Sequence, residues 1–185
     1  MDPSGSTIDR GQGLSLIGYR ASGKSTIARL IARALDRPCI DVDHEIERRT
    51  RMSVPEIFVA EGEASFRDHE ERALRELCHE FPNAVLATGG GAILRAVNRV
   101  TLHRFGPAIW LKAPSGVLVE RLRRDPSARP SLTAAGLLDE VQEVLKMREP
   151  LYESVADLVV DATPDDPSIV AESILRRIAL FRVQR

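Results

Sequence analysis

Apolar residues recur along this chain in two alternating rhythms. Short apolar runs of strand length lie at 14–19, 39–43, 84–88, 108–112 and 158–160. Between them the apolar positions fall at helical spacing. The first helical stretch, from Lys24 to Leu35, places Ile27, Leu30, Ile31, Ala34 and Leu35 on one face, and Pro38 ends it. A polar helix is predicted over 44–50 and another with Pro55 in its first turn and Ile57, Phe58 and Ala60 inward. Glu61-Gly62-Glu63 breaks that pattern, and a longer helix from Ala64 buries Phe66, Ala73, Leu74, Leu77 and Cys78. Further helices are predicted over 92–104, from Pro114 and Ser115 to Arg123, along the Leu137–Leu145 stripe as far as Pro150, and through Val170, Ile174, Ile178 and Phe181.

Strands that alternate with helices imply a three-layer α/β/α fold, with a five-stranded parallel sheet covered on both faces and right-handed crossovers. Residues 124–136 interrupt the pattern with Pro126, Pro130 and Gly136, which predicts a mobile lid. Residues 1–12 are polar and are expected to be a flexible leader, leaving 13–185 as one domain.

Composition narrows the picture by exclusion. Lys and Arg number 26 against 27 Asp and Glu, so a net charge of −1 argues against a general nucleic-acid or membrane surface. No apolar run approaches the roughly 20 residues of a membrane span, and the polar start is unlike a secretory signal. Two cysteines, Cys39 and Cys78, have neither metal spacing nor the count of a disulfide framework. They are expected to be reduced core residues of a cytoplasmic, monomeric protein.

Chemistry enters at Gly18-Tyr19-Arg20-Ala21-Ser22-Gly23-Lys24-Ser25. This is a G-x-x-x-x-G-K-[ST] phosphate loop between a strand and a helix, the context that gives the motif meaning. Glycine at 18 and 23 permits backbone turns that aim N–H groups at an anion, and the helix start adds its own free donors. In this motif Lys24 supplies charge for the β- and γ-phosphates and Ser25 a hydroxyl for Mg²⁺.

In a parallel sheet, ligands sit beyond the carboxyl ends of the strands. Two other stretches end there. Asp41 and Asp43, two apart on a strand, would share a face; one could hold the water shell of Mg²⁺ and the other accept a substrate proton. Asp43 as a plain helix cap is the competing reading. Gly89-Gly90-Gly91 could form a ligand floor of backbone N–H groups or serve as a strand–helix turn. Arg67, Arg129 and Arg148 are candidate anion binders. Arg67 stands near a helix start where a cation opposes the dipole, and Arg148 near a helix end where a cation is favourable anyway. Arg129 lies in the lid, in a cluster with Arg121, Arg123 and Arg124. The four histidines and Trp110 have no assigned role, Trp110 being read as core.

Together these stretches resemble the shikimate kinases, a member of the nucleoside-monophosphate-kinase group of phosphate-loop folds. The matching segments are G-Y-R-A-S-G-K-S-T at 18–26, D-V-D at 41–43, E-G-E-A-S-F-R at 61–67, L-A-T-G-G-G at 86–91, R-P-S-L at 129–132 and R-E-P-L-Y at 148–152. The resemblance implies a phosphate-loop kinase that uses ATP and Mg²⁺ to phosphorylate shikimate. It implies ATP contacts from Gly18, Ala21, Ser22, Gly23, Lys24, Ser25 and Thr26, with Arg129 from the lid. Arg123 is the candidate against adenine, in competition with Arg121 and Arg124. It implies Mg²⁺ at Ser25 and Asp41, catalysis by Lys24, Asp43 and Arg129, and shikimate on Asp43, Arg67, Gly89, Gly90, Gly91 and Arg148. Ala21 stands where the family commonly has glycine, and Ser131 where an aliphatic residue is usual.

Two other functions compete. A gluconate-type kinase would keep Lys24 and Asp41 but has no need of two arginines converging on a carboxylate. A ligand sensor within a transcriptional regulator would tolerate losing Lys24 or Asp43. It would also need a DNA-binding region, for which the ~13 residues before the first strand are too short.

Overall fold

The computed structural model describes residues 12–124 and 136–183. The predicted lid and the leader therefore lie, but for their edge residues, outside the described residues, and Arg129 with them. Five parallel strands form one sheet: β1 (Leu14–Ile17), β2 (Cys39–Asp41), β3 (Val85–Ala87), β4 (Ala108–Lys112) and β5 (Leu158–Asp161), in the order β2-β3-β1-β4-β5. Registers such as Leu16 beside Ala87 and Ile109 keep β1 central, so it is buried at every position. The apolar runs read as strands are therefore strands, and the parallel sheet is as expected.

Helices cover both faces. They are α1 (Lys24–Leu35), α2 (Val42–Thr50), α3 (Val54–Ala60), α4 (Gly62–Glu80), α5 (Ala96–Phe105), α6 (Ser115–Arg124), α7 (Leu137–Val155) and α8 (Pro167–Val183). A 3₁₀ turn, Ala92–Leu94, precedes α5. One apolar core lies where α1, α6 and α8 meet the sheet, around Ile31, Leu118 and Ile174; the other lies under α2, α4, α5 and α7, around Ile46, Leu74 and Tyr152. Trp110 is core as read, stacked on Tyr152 with ring centroids 5.5 Å apart.

Four expectations need correction. The second strand stops at Asp41, whose carboxylate caps α2 by accepting from the Asp43 and His44 N–H groups, so Asp43 belongs to a helix rather than a strand. Helix α4 starts at Gly62, two residues early, because Gly62 takes a φ of 83° that its neighbours would resist. Helix α7 runs through Pro150 to Val155, so Arg148 is not near its end. The packing of Tyr152 and Val155 beyond the proline outweighs the lost backbone bond. Finally, Cys39 is exposed on the edge strand β2 instead of buried; Cys78 is half-buried, and both are free thiols.

Candidate active site

The phosphate loop leaves β1 and enters α1 with the two glycines in place. Gly18 has a φ of 144°, and a Cβ there would sit 2.7 Å from the Leu111 carbonyl; Gly23 has a φ of 90° and caps α1 with no side chain. The first N–H groups of α1 thus face the loop without a side-chain acceptor. Ala21 takes the left-handed region at a φ of 62°, where a Cβ is costly and glycine is not. Lys24 is buried and donates to the carbonyls of Gly18 at 2.9 Å and Tyr19 at 2.7 Å. Burial pushes its ammonium down to about 8, with Arg148 adding to the effect and Asp43 and Asp41 opposing it. Ser22 is buried within the loop, whereas Ser25 and Thr26 stand exposed on the first turn of α1.

Ser25 donates its hydroxyl to Asp41 at 2.5 Å. A hydroxyl and a carboxylate oxygen held together at the end of the phosphate loop suit a hard cation that keeps most of its ligands as water and phosphate.

Opposite the loop, the glycine triplet after β3 organises the second half of the site. Each missing side chain leaves room for something different. A Cβ on Gly89 would meet Asp43 Oδ1 at 2.6 Å and Glu70 Oε1 at 2.8 Å. One on Gly90 would lie 3.2 Å from the Arg20 backbone nitrogen, and one on Gly91 would strike the Arg67 guanidinium at 2.5 Å. The Gly90 carbonyl accepts from Arg148 Nη1 at 3.2 Å and from the Tyr152 hydroxyl at 2.6 Å. Asp43, Arg67 and Arg148, carried by three different helices, therefore converge on three consecutive residues that adjoin the phosphate loop.

The electrostatics follow from burial. Burial pushes the Asp43 carboxyl up to about 6, helped by Glu70 and Asp41 and opposed by Lys24 and Arg67. Its Oδ1 is buried without a hydrogen-bond partner, as is Oε1 of Glu70. Arg67 is held by Glu70 at 2.8 Å and by Glu63 at 3.0 Å, with Glu70 wholly buried. Burial likewise raises the Glu70 carboxyl, against the pull of Arg67 and then Arg148. Two guanidinium groups beside carboxylate oxygens without partners could receive a ligand that bears both an anion and hydroxyl groups.

Sequence reasoning missed Glu70 and Tyr152. Glu70 sits three residues after Arg67, which puts both on one helical face, so that spacing was available as a signal. Tyr152 was quoted within R-E-P-L-Y, but its bond to Gly90 needs the helix to continue past Pro150. Arg123 stands exposed at the end of α6, whereas Arg121 reaches across to the carbonyls of Ala162 at 2.9 Å and Pro164 at 2.9 Å.

Comparison with known proteins agrees over most of the chain. The family model described as shikimate kinase matches residues 20–179. A shikimate kinase of Rhodopirellula baltica is 44% identical over 168 residues, covering 89% of each chain. One of Pseudomonas fluorescens is 45% identical over 166 residues, covering 90% of this chain and 95% of its own. The solved shikimate kinase of Acinetobacter baumannii in complex with shikimate superposes with a TM-score of 0.85 at 37% identity, covering 93% of this chain and 95% of that one. Matches of this identity, spanning nearly the whole of each partner, carry the assignment beyond a shared fold: this chain belongs to the shikimate kinase family.

Proposed function

We propose that this chain transfers the γ-phosphoryl group of ATP to one hydroxyl of shikimate, giving shikimate 3-phosphate and ADP. The observation that carries the reading is the meeting of Asp43, Arg67 and Arg148 at Gly89–Gly91, against the phosphate loop. In this reading Arg67 and Arg148 receive the shikimate carboxylate, for which planar guanidinium groups offer paired donors. Gly89, Gly90 and Gly91 keep the floor of that pocket low enough for the ring to enter. Asp43 accepts the proton of the attacking hydroxyl, for which its raised pKa suits it. The hydroxyl oxygen then bonds to the γ-phosphorus as the bridge to the β-phosphate breaks, and ADP leaves.

On the nucleotide side, Gly18 and Ala21 to Thr26 surround the phosphates, and Lys24 offsets the charge that develops on the transferring group, with Arg129 from the lid assigned the same task. Ser25 and Asp41 would hold Mg²⁺, which supplies charge neutralisation on the phosphate oxygens when bound. Against adenine, the anchoring of Arg121 beside Pro164 favours Arg121 over Arg123. The reading includes a cytoplasmic monomer that binds no nucleic acid, in keeping with a net charge of −1. No helix among the described residues is long and apolar enough to cross a membrane.

A coupled ADP-release assay with and without shikimate is the test. Turnover that requires shikimate, with a shikimate KM raised about a hundredfold in Arg67→Ala and Arg148→Ala and an ATP KM held within about twofold, supports the reading. Normal shikimate use by both variants would remove it, and turnover on gluconate instead would select the rival kinase.

A further inference from the structure

We propose that Arg95 is a positioning residue of the acid pocket, bolting α4 to the segment behind the glycine triplet and so fixing the Arg67 guanidinium over Gly91. This rests on the reading of Arg67 as a substrate-carboxylate group.

Arg95 joins the 3₁₀ turn that leaves Gly91 to the start of α5. Its guanidinium reaches sideways to α4, 2.7 Å from Asp68 Oδ1 and 2.8 Å from Glu71 Oε2, with a further 3.4 Å contact to the Ala64 carbonyl. Asp68 and Glu71 are each one residue on from Arg67 and Glu70, so the face of α4 that Arg95 grips lies next to the face that enters the pocket. Arg99 stiffens the same segment by donating to the carbonyls of Ile93 at 2.7 Å and Leu94 at 3.0 Å.

The need for such a brace is local. The α4 N-terminus starts on Gly62 in the left-handed region, with no side chain capping its first turn. Arg67 packs so close to Gly91 that no Cβ would fit between them, so a small drift of α4 moves the guanidinium directly. Isolated exposed ion pairs contribute little. This one is a fork on two carboxylates of adjacent helical turns; the Glu71 arm is partly shielded, at 29% exposure, while the Asp68 arm is 67% exposed. Displacements of about 1 Å at a binding group are enough to cost large factors in rate.

The test is steady-state kinetics on the full chain, varying shikimate and ATP separately, with thermal melting alongside. Arg95→Ala is expected to raise the shikimate KM about tenfold, leave the ATP KM within about twofold, and change kcat less than KM. Arg95→Lys restores part of the loss, since an ammonium can hold one carboxylate but not fork two. In an Arg67→Ala background, Arg95→Ala adds little more, because the group it positions is gone. The Asp68→Asn, Glu71→Gln double variant unpicks the same contact from α4 and gives the answer should Arg95→Ala fail to fold. An unchanged shikimate KM in folded Arg95→Ala, or equal losses for both substrates, overturns the brace alone. An unchanged shikimate KM in Arg67→Ala overturns the carboxylate reading and the brace with it.

Discussion

The two halves of the site are built on opposite plans. The phosphate loop is one contiguous stretch whose chemistry comes from its backbone: turned glycines, free N–H groups at the start of α1, and a lysine folded onto its own loop. The acid pocket comes from side chains on α2, α4 and α7, which meet only because the sheet order brings β2, β3 and β1 side by side. The first plan depends on its own backbone turns and on Lys24. The second can be loosened from a distance, by any contact that lets one of its helices shift.

That contrast can be broken most severely at Lys24. Lys24→Ala should lower kcat about 10²–10³-fold while the shikimate pocket keeps its affinity, measured by turnover and by shikimate binding in the absence of nucleotide. Next in size is Gly91→Ala. Its Cβ meets a side-chain end pinned by Glu63 and Glu70 rather than backbone, so the shikimate KM should rise about tenfold and nucleotide affinity should hold. Should nucleotide binding fall equally, the two halves are not separable as described.

A subtler break is by pH. Burial raises the Asp43 carboxyl to about 6, so, with Asp43 as the proposed base, kcat/KM should fall as pH drops through that value and the carboxylate gains its proton. Glu70 is one of the groups holding that value up, hence Glu70→Gln should move the acid limb to lower pH by about one unit or less. A limb that stays put or moves upward contradicts the arrangement. The smallest effect belongs to Ala21→Gly. Relief of a left-handed alanine is offset by a freer unfolded chain, leaving a gain of no more than about 1 kcal/mol with turnover unchanged, read from melting curves.

Much of this was legible before any coordinates. A phosphate loop is a local device, so eight residues in a strand–helix context identify it; the apolar runs of β1 and β3 mark strands buried at every position, whereas β2 and β5, at the sheet edges, keep exposed residues. What the sequence hid was of two kinds. Where a cap competes with a strand, as at Asp41, alternation and helix-start chemistry give the same residues different geometry, and the carboxylate that accepts two N–H bonds wins. Where packing overrides a local rule, as at Pro150, the proline reads as a stop although a buried tyrosine beyond it keeps the helix going. The triplet at 89–91 was legible as unusual but not as a set of three berths, because the groups that fill them come from elsewhere in the chain.

Gly90 gives the molecule a partition only one peptide thick. Its α-carbon side abuts the main chain at Arg20, and its carbonyl side receives Arg148 and Tyr152. The backbone of the phosphate loop and the side of the triplet that Arg148 and Tyr152 grip are thus back to back, with a single peptide between them. A methyl group on Gly90 would press on the loop side, 3.2 Å from the Arg20 nitrogen and 3.6 Å from the Gly18 carbonyl oxygen, and so would be felt first by the phosphate loop.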